Sequence, residues 1–257
     1  MKQSELRDLL DSKVAEYNHP RFIDSDPISV PHQFTEKKDI EISAFLTATI
    51  AWGQRPTIIK NAMRLMEHMD HSPAQFICQH EPKDRMRFQG FVHRTFNYDD
   101  LLFFLSSLQD IYLHQGGLQN LFEVHEDEVN PRQAIMRFRE AFFNTEHLPR
   151  TQKHVSNPFK NSSAKRLNMY LRWMVRRDNN GVDFGIWENI SMWQLSCPLD
   201  VHSGTVARRL GLLTRKQNDW KAVEELDQSL RSLDPADPVK YDFALFGMGV
   251  FEGYGKS

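Results

Sequence analysis

The chain has 257 residues, a formal net charge of −2 and a hydrophobic fraction of 40%, which is enough to bury one large core or two smaller ones. No apolar run approaches the ~20 residues that cross a bilayer, and the charged start of the chain, Met1 to Asp11, lacks the apolar stretch of a signal peptide. Two cysteines, Cys78 and Cys197, are too few for a disulfide framework, a four-cysteine zinc site or an iron–sulfur cluster. We therefore expect a cytoplasmic protein without metal or cofactor, and the oligomeric state stays open.

Apolar residues recur at helical spacing along most of the chain, and several of these segments follow a good capping residue. The predicted helices span residues 39–51, 56–69, 99–115, 131–143, 162–177, 187–195, 200–212, 220–232 and 239–246. Residues 144–161 and 178–184 are predicted to be exposed loops, and the glycine-rich stretch 246–255 to be either a flap or a disordered end. Alternating strand patterns are scarce, so the sequence predicts an all-α fold.

Positive charge is concentrated in one part of the chain. Eight basic residues lie between residues 150 and 177, and no Asp or Glu lies among them. They are Arg150, Lys153, Lys160, Lys165, Arg166, Arg172, Arg176 and Arg177. A solvated helix face gives the same run of charge, but the absence of compensating acids favours a nucleic acid partner.

Several enzyme classes lack their motifs in this chain. There is no phosphate-binding G-x-x-x-x-G-K-[ST] loop, no G-x-G-x-x-G dinucleotide turn, no H-E-x-x-H zinc pair and no G-x-S-x-G nucleophile elbow. The eleven histidines are scattered without ligand spacing. Phosphotransferases, dinucleotide oxidoreductases and metallohydrolases are therefore disfavoured.

Asp200 stands where the pattern Val206, Ala207 and Leu210 predicts that a helix begins. An aspartate at this position accepts hydrogen bonds from the free N–H groups of the first turn. The positive end of the helix dipole keeps its carboxylate ionised, and His202 follows within the same turn. A simple helix cap explains this spacing equally well.

Two parts of the sequence resemble a known enzyme superfamily. Residues 199–212 resemble the catalytic-aspartate segment of the helix-hairpin-helix DNA glycosylases, and Lys165 matches the lysine that bifunctional members carry at the start of the second hairpin helix. The separation of Lys165 from Asp200 is similar to that in archaeal-type oxoguanine glycosylases. This likeness covers chiefly residues 150–250. The blocks 165–176 and 237–247 resemble more closely a bacterial family of unknown function related to these enzymes, over nearly the whole chain.

The resemblance implies a two-lobed all-helical fold that binds duplex DNA in a cleft. It places an N-terminal helical lobe at about 1–130 and a hairpin and catalytic lobe at about 131–250, with the last helix returning to the first lobe. Trp52, Gln54, His202 and Phe246 are the expected residues of the base pocket. The hairpin segment 157–163 lacks the glycines that hold a DNA phosphate in the superfamily. We therefore expect backbone contacts from Lys160, Ser162, Ser163, Arg166, Arg172 and Arg208.

The resemblance also implies a chemistry. Cleavage of a base–sugar bond builds positive charge on the sugar, which the Asp200 carboxylate would stabilise, and the Lys165 amine would form a Schiff base with the sugar carbon. The expected function is excision of a damaged base from DNA, with lyase activity and the identity of the lesion, an oxidised base among the candidates, left open. Two alternatives remain: a nucleic-acid-binding protein without this chemistry, and a helical enzyme that acts on a small phosphorylated metabolite.

Overall fold

The computed structural model describes residues 2–254, and this part of the chain is predominantly helical. Its α-helices and strands are α1 (Gln3–Tyr17), α2 (Lys37–Thr49), α3 (Arg55–His68), α4 (Pro73–Gln79), β1 (Val92–His93), β2 (Phe96–Asn97), α5 (Tyr98–His114), α6 (Leu118–Leu121), α7 (Arg132–Phe142), α8 (Lys165–Val175), α9 (Val201–Arg209), α10 (Trp220–Leu233) and α11 (Tyr241–Val250). The two strands pair antiparallel as a short hairpin. None of these helices is long and apolar enough to cross a membrane.

The chain forms two compact units, each made of separate segments. Unit 1 contains the described parts of 1–22, 124–133 and 156–257, and unit 2 contains 23–123 and 134–155. Helix α1 thus belongs to the unit of α8 to α11, and most of α7 belongs to the unit of α2 to α5. The sequence placed a division near residue 130. That division would group α1 with α2 to α5 and α7 with α8 to α11, whereas the structure groups these two helices the other way round.

The core of unit 1 is built from α1, α9, α10 and α11. Its buried apolar side chains include Leu10, Val206, Leu226, Leu230 and Leu245. Helix α11 continues to Val250, so residues 247–250 of the glycine-rich stretch are helical and not a flap. The glycines there permit close packing, because a Cβ atom at Gly247 would lie 2.2 Å from the ring of Tyr17 on α1.

The core of unit 2 is rich in phenylalanine. The ring of Phe45 on α2 packs against the rings of Phe104, Phe138 and Phe142, at centroid distances of 5.5–6.0 Å. Every residue of α2 from Ile40 to Thr49 is buried. A helix that is buried on all sides lies at the centre of its domain, so α2 is the central helix of unit 2.

The prediction of a helix over 187–195 is wrong, since only Met192–Gln194 forms a short 3₁₀ turn there. The backbone N–H of Trp187 donates to the carbonyl of Met174 at 2.9 Å, and that of Phe184 donates to Trp173 at 2.8 Å. These bonds satisfy the last carbonyls of α8, which have no partner within their own helix. The apolar side chains of this segment are therefore buried although its backbone is not helical.

The two predicted loops have different outcomes. Residues 178–184 are irregular, as predicted, but they are not wholly exposed, because Val182 and Asp183 are buried. The stretch 144–161 is not simply exposed: it contains 3₁₀ turns at Pro149–His154 and Pro158–Lys160, and Thr151, His154 and Val155 are buried. Burial is possible there because the side chains of Thr151 and His154 hydrogen-bond to a buried carboxylate.

Candidate active site

Lys165 and Asp200 form a direct ion pair in unit 1. The Nζ atom of Lys165 lies 2.9 Å from Oδ2 of Asp200, and the two side chains are 31% and 17% exposed. Lys165 is the first residue of α8, and Asp200 is the N-cap of α9. Thus two helix starts that are 35 residues apart in sequence present an amine and a carboxylate side by side, in a position that solvent reaches.

The Asp200 carboxylate is fixed in orientation by a capping box. Its Oδ1 atom accepts hydrogen bonds from the backbone N–H groups of His202 at 2.8 Å and Ser203 at 2.9 Å. In return, the N–H of Asp200 donates to Oγ of Ser203 at 3.0 Å. Because Oδ1 is held by the helix, Oδ2 remains directed at Lys165.

The surroundings keep Asp200 ionised. Burial alone would raise the pKa of its carboxyl, but the positive charge of Lys165 and the N–H of Ser203 outweigh burial and hold the pKa below its usual value. A carboxylate that accepts several N–H bonds beside a cation is expected to titrate low. Asp200 is therefore a carboxylate at neutral pH.

The turn before α8 takes glycine-like conformations without containing glycine. Asn161 has φ of 62° and Ala164 has φ of 48°, both in the left-handed region. For a residue other than glycine this conformation costs about 1–2 kcal/mol. The N–H of Ala164 donates to Oγ of Ser162 at 3.2 Å, which supports the turn. The missing G-x-G sequence therefore does not prevent a tight reversal immediately before Lys165.

A second polar contact braces the start of α9, and nothing in the sequence pattern pointed to it. The Asn218 side chain donates from Nδ2 to the Asp200 carbonyl at 2.8 Å and accepts from Arg208 at 2.6 Å. Gly204 leaves room for both groups, because a Cβ atom there would lie 2.8 Å from Asn218 Oδ1 and from Arg208 Nη1. Asp200 is recognisable in the sequence as a helix cap, but the reciprocal bond from Ser203 is not, because Glu or Gln is the usual residue at that position of a capping box.

Helix α11 connects the two helices that carry the pair. Asp242 at its start binds Arg172 of α8. Seven residues later, Gly249 lies against α9, where a Cβ atom would be 3.1 Å from Cβ of His202. Residues seven apart lie on one face of a helix, about 10 Å apart along its axis. Helix α11 thus contacts both helices that carry the pair: it reaches α8 through the ion pair of Asp242 with Arg172 and α9 through close packing at Gly249.

Arg172 is buried, and its expected contact with the DNA backbone is not compatible with this structure. The side chain is 5% exposed and pairs with Asp242 and, at 3.2 Å, with Asp183. Arg176 is similarly enclosed by Asp183 and by two further carboxylates. The basic run 150–177 contains no acids, but later segments of the chain supply them in three dimensions.

The other residues expected to contact the DNA backbone all lie in unit 1 and differ in exposure and in hydrogen bonding. Lys160 is exposed, and Ser162 and Ser163 are partly exposed. Burial lowers the pKa of Arg166 to about 10, so its guanidinium is still charged at neutral pH. Arg208 donates from Nε to the carbonyl of Arg215 at 2.8 Å.

The expected base-pocket residues are divided between the units. His202 is exposed in the first turn of α9, and Phe246 on α11 packs edge-on against Phe22 at 6.2 Å, both in unit 1. Trp52 and Gln54 lie in unit 2, in the turn between α2 and α3. Their assignment to one pocket stays a prediction.

No group of three or more histidine, cysteine, aspartate or glutamate side chains within residues 2–254 is arranged to hold a metal ion. The family model described as a protein of unknown function (DUF2400) matches residues 26–251. The chain therefore belongs to this family. Neither the curated proteins nor the solved structures contain a significant match to it.

Proposed function

We propose that the protein is a DNA glycosylase that removes a damaged base and also acts as an abasic-site lyase. The observation that supports this most directly is the ion pair of Lys165 and Asp200 at 2.9 Å, placed at the starts of two helices and accessible to solvent. An amine and a fixed carboxylate within hydrogen-bond reach are the two groups that the reaction requires. The resemblance of residues 150–250 to the helix-hairpin-helix glycosylases supports the choice of a damaged, oxidised base as substrate.

We assign one role to each group. The Lys165 ammonium gives up a proton to solvent, which leaves the lone pair on Nζ free, while the Asp200 carboxylate stays ionised. That lone pair forms a bond to the sugar carbon as the bond from this carbon to the base breaks, and the departing base takes up the bonding electrons and a proton from solvent. Positive charge that develops on the sugar is stabilised by the Asp200 carboxylate. Rearrangement to a Schiff base then permits strand cleavage by elimination.

Borohydride trapping tests the proposal. Purified protein is mixed with duplex oligonucleotides that carry an abasic site or an oxidised guanine, and the Schiff base is reduced to a stable adduct. We expect an adduct with wild-type protein and none with Lys165→Gln. Lys221→Gln is the matched control, because Lys221 is exposed on α10 of the same unit and does not pair with a carboxylate among the described residues. An adduct that survives in Lys165→Gln would refute the assignment of the nucleophile.

A second candidate is a nucleic-acid-binding protein of the same fold class without base excision. The ion pair itself favours it, because Lys165 and Asp200 neutralise each other as they would in a purely structural contact. This candidate requires salt-sensitive binding to DNA and no adduct on either lesion.

A further inference from the structure

Unit 2 contains its own concentration of positive charge, which no single segment of the sequence reveals. Three stretches of this unit lack Asp and Glu entirely: residues 42–66, 85–98 and 147–154. Within them, the exposed or partly exposed cations include Arg55 and Lys60 of α3, Arg94 at the tip of the β1–β2 hairpin, and Arg150 and Lys153 of the turn after α7.

Hydrogen bonds bring the first two stretches together. Nε2 of His93 lies 3.0 Å from the carbonyl of Trp52, and its Nδ1 lies 2.8 Å from Nδ2 of Asn61. The side chain of Arg94 lies along the turn, since a Cβ atom at Gly53 would be 3.0 Å from Nη1 of Arg94. Gly53 has φ of 110°, a conformation that glycine adopts readily. The hairpin tip is thus held against the turn between α2 and α3.

The third stretch joins them through a buried carboxylate. Asp100, which is fully buried, accepts from Oγ1 of Thr151 at 2.7 Å and lies 3.2 Å from Nε2 of His154. Arg150 pairs with Asp100 at 3.2 Å and also donates to the carbonyl of Thr95 at 2.9 Å. The acid at the centre of the assembly is therefore already matched, and it lies inside the unit.

These contacts leave a rigid surface with excess positive charge. Arg94, Lys60 and Lys153 are exposed, and none of them pairs with a carboxylate among residues 2–254. The partly exposed ring of Trp52 is held edge-on by His93 at 5.1 Å and nearly parallel to His154 at 6.0 Å. Two exposed acids lie close to these cations in sequence: Glu146 is four residues before Arg150, and Asp99 is five residues after Arg94. Burying polar groups costs free energy unless they are hydrogen-bonded. Several buried and hydrogen-bonded polar side chains support this one surface turn, and such support is typical of a functional surface.

We propose that this hairpin surface, formed by Trp52 to Arg55, Lys60, Arg94, Arg150 and Lys153, binds the phosphate backbone of a nucleic acid. Cations that flank an aromatic ring and an exposed amide, Gln54, suit a ligand with both phosphates and bases, because rings stack on bases while cations pair with phosphates. An acidic protein would pair with the cations but would not need the aromatic ring and the amide. The proposal does not depend on the chemistry of Lys165.

The test is the salt dependence of binding to fluorescein-labelled single-stranded and duplex oligonucleotides, measured by fluorescence anisotropy on the full chain. Each lost phosphate contact reduces the slope of log K against log salt by about 1. We expect this reduction, with weaker binding, for Arg94→Gln and for Lys60→Gln. Lys83→Gln is the matched control: it removes one charge from the same unit, but Lys83 is 76% exposed and already paired with Glu81.

Variants that behave like Lys83→Gln would overturn the proposal. Competition gives a second outcome that overturns it. If polyglutamate displaces the oligonucleotide as well as unlabelled DNA does at the same concentration of charge, the partner is an acidic protein. Both variants change exposed side chains, and circular dichroism verifies that they fold. A reduced slope in Arg94→Gln without any borohydride adduct in wild-type protein would keep this surface and reject the Schiff-base chemistry of Lys165, whereas an adduct with unchanged slopes would do the reverse.

Discussion

Two substitutions of Asp200 separate its role as a helix cap from its role as a charged group. Asp200→Asn keeps an oxygen at Oδ1 that can accept from the N–H groups of His202 and Ser203, but it removes the charge that faces Lys165. Asp200→Ala removes both. The structure therefore predicts different effects on stability and similar effects on chemistry.

The magnitudes follow from the exposure of the pair and from the cap. A partly exposed ion pair contributes at most about 1 kcal/mol, so Asp200→Asn is expected to lie within about 1 kcal/mol of wild type in free energy of unfolding. Loss of an aspartate cap costs roughly 0.5–2 kcal/mol, so Asp200→Ala is expected to lose that amount in addition. Removing a group that stabilises developing charge lowers rates by roughly 100-fold or more, and both variants should lose excision to this extent.

Urea denaturation followed by tryptophan fluorescence measures the stabilities, and single-turnover excision with DNA-binding titrations measures the rest. Asp200→Asn should bind DNA as wild type does. If it is as unstable as Asp200→Ala, the cap does not operate through Oδ1. Excision at the wild-type rate in Asp200→Asn, or equal losses of binding and turnover, would refute the catalytic role.

Three further changes test the buried charges and the packing of unit 1. Asp227→Asn should raise the free energy of unfolding by roughly 3 kcal/mol above pH 6 and leave it unchanged below about pH 4. Burial raises the pKa of Asp227 from 3.8 to about 6, so between these pH values the native state keeps a proton that the unfolded state has lost. The stability of the wild-type protein therefore falls as the pH rises through this window. Denaturation at several pH values checks this, and a pH-independent difference would contradict it. Arg172→Met should lower the free energy of unfolding by about 3–5 kcal/mol, because it leaves buried carboxylates uncompensated. Its control is Arg177→Met, at a cation that is 48% exposed, which should cost less than about 1 kcal/mol. Equal losses in denaturant unfolding would contradict the burial argument. Gly247→Ala should lower the melting temperature, since its Cβ would lie 2.2 Å from the ring of Tyr17 and overpacking costs about 1–3 kcal/mol; an unchanged melting temperature would show that this contact relaxes freely.

Helical periodicity predicted most of the long helices, although it missed the 15-residue helix α1 (Gln3–Tyr17). The segments predicted at 39–51, 56–69 and 220–232 agree with α2, α3 and α10 to within about two residues at each end, the usual uncertainty of helix ends. The capping residue and the spacing of apolar side chains are local properties, so a single sequence contains them. Shorter elements such as α4 and the β1–β2 hairpin have too few residues for a periodic signal.

The candidate site was only partly predictable. Lys165 and Asp200 were identified by resemblance, and Asp200 also by its capping position. Their contact at 2.9 Å depends on how α11 holds α8 and α9. Asn218 and Gly249 support the site through contacts that no motif encodes.

By itself, the sequence determined that this chain is helical, where most of its long helices lie, and that Asp200 begins a helix. Charge was the property that it predicted least well. Within the basic run 150–177, Arg172 is neutralised by Asp183 and Asp242. Arg150 and Lys153 of the same run instead join cations from distant stretches of the chain on the surface of unit 2. Only the tertiary structure decided this, because electrostatic interactions depend on distance and burial in space, and a one-dimensional sequence specifies only which charges are available.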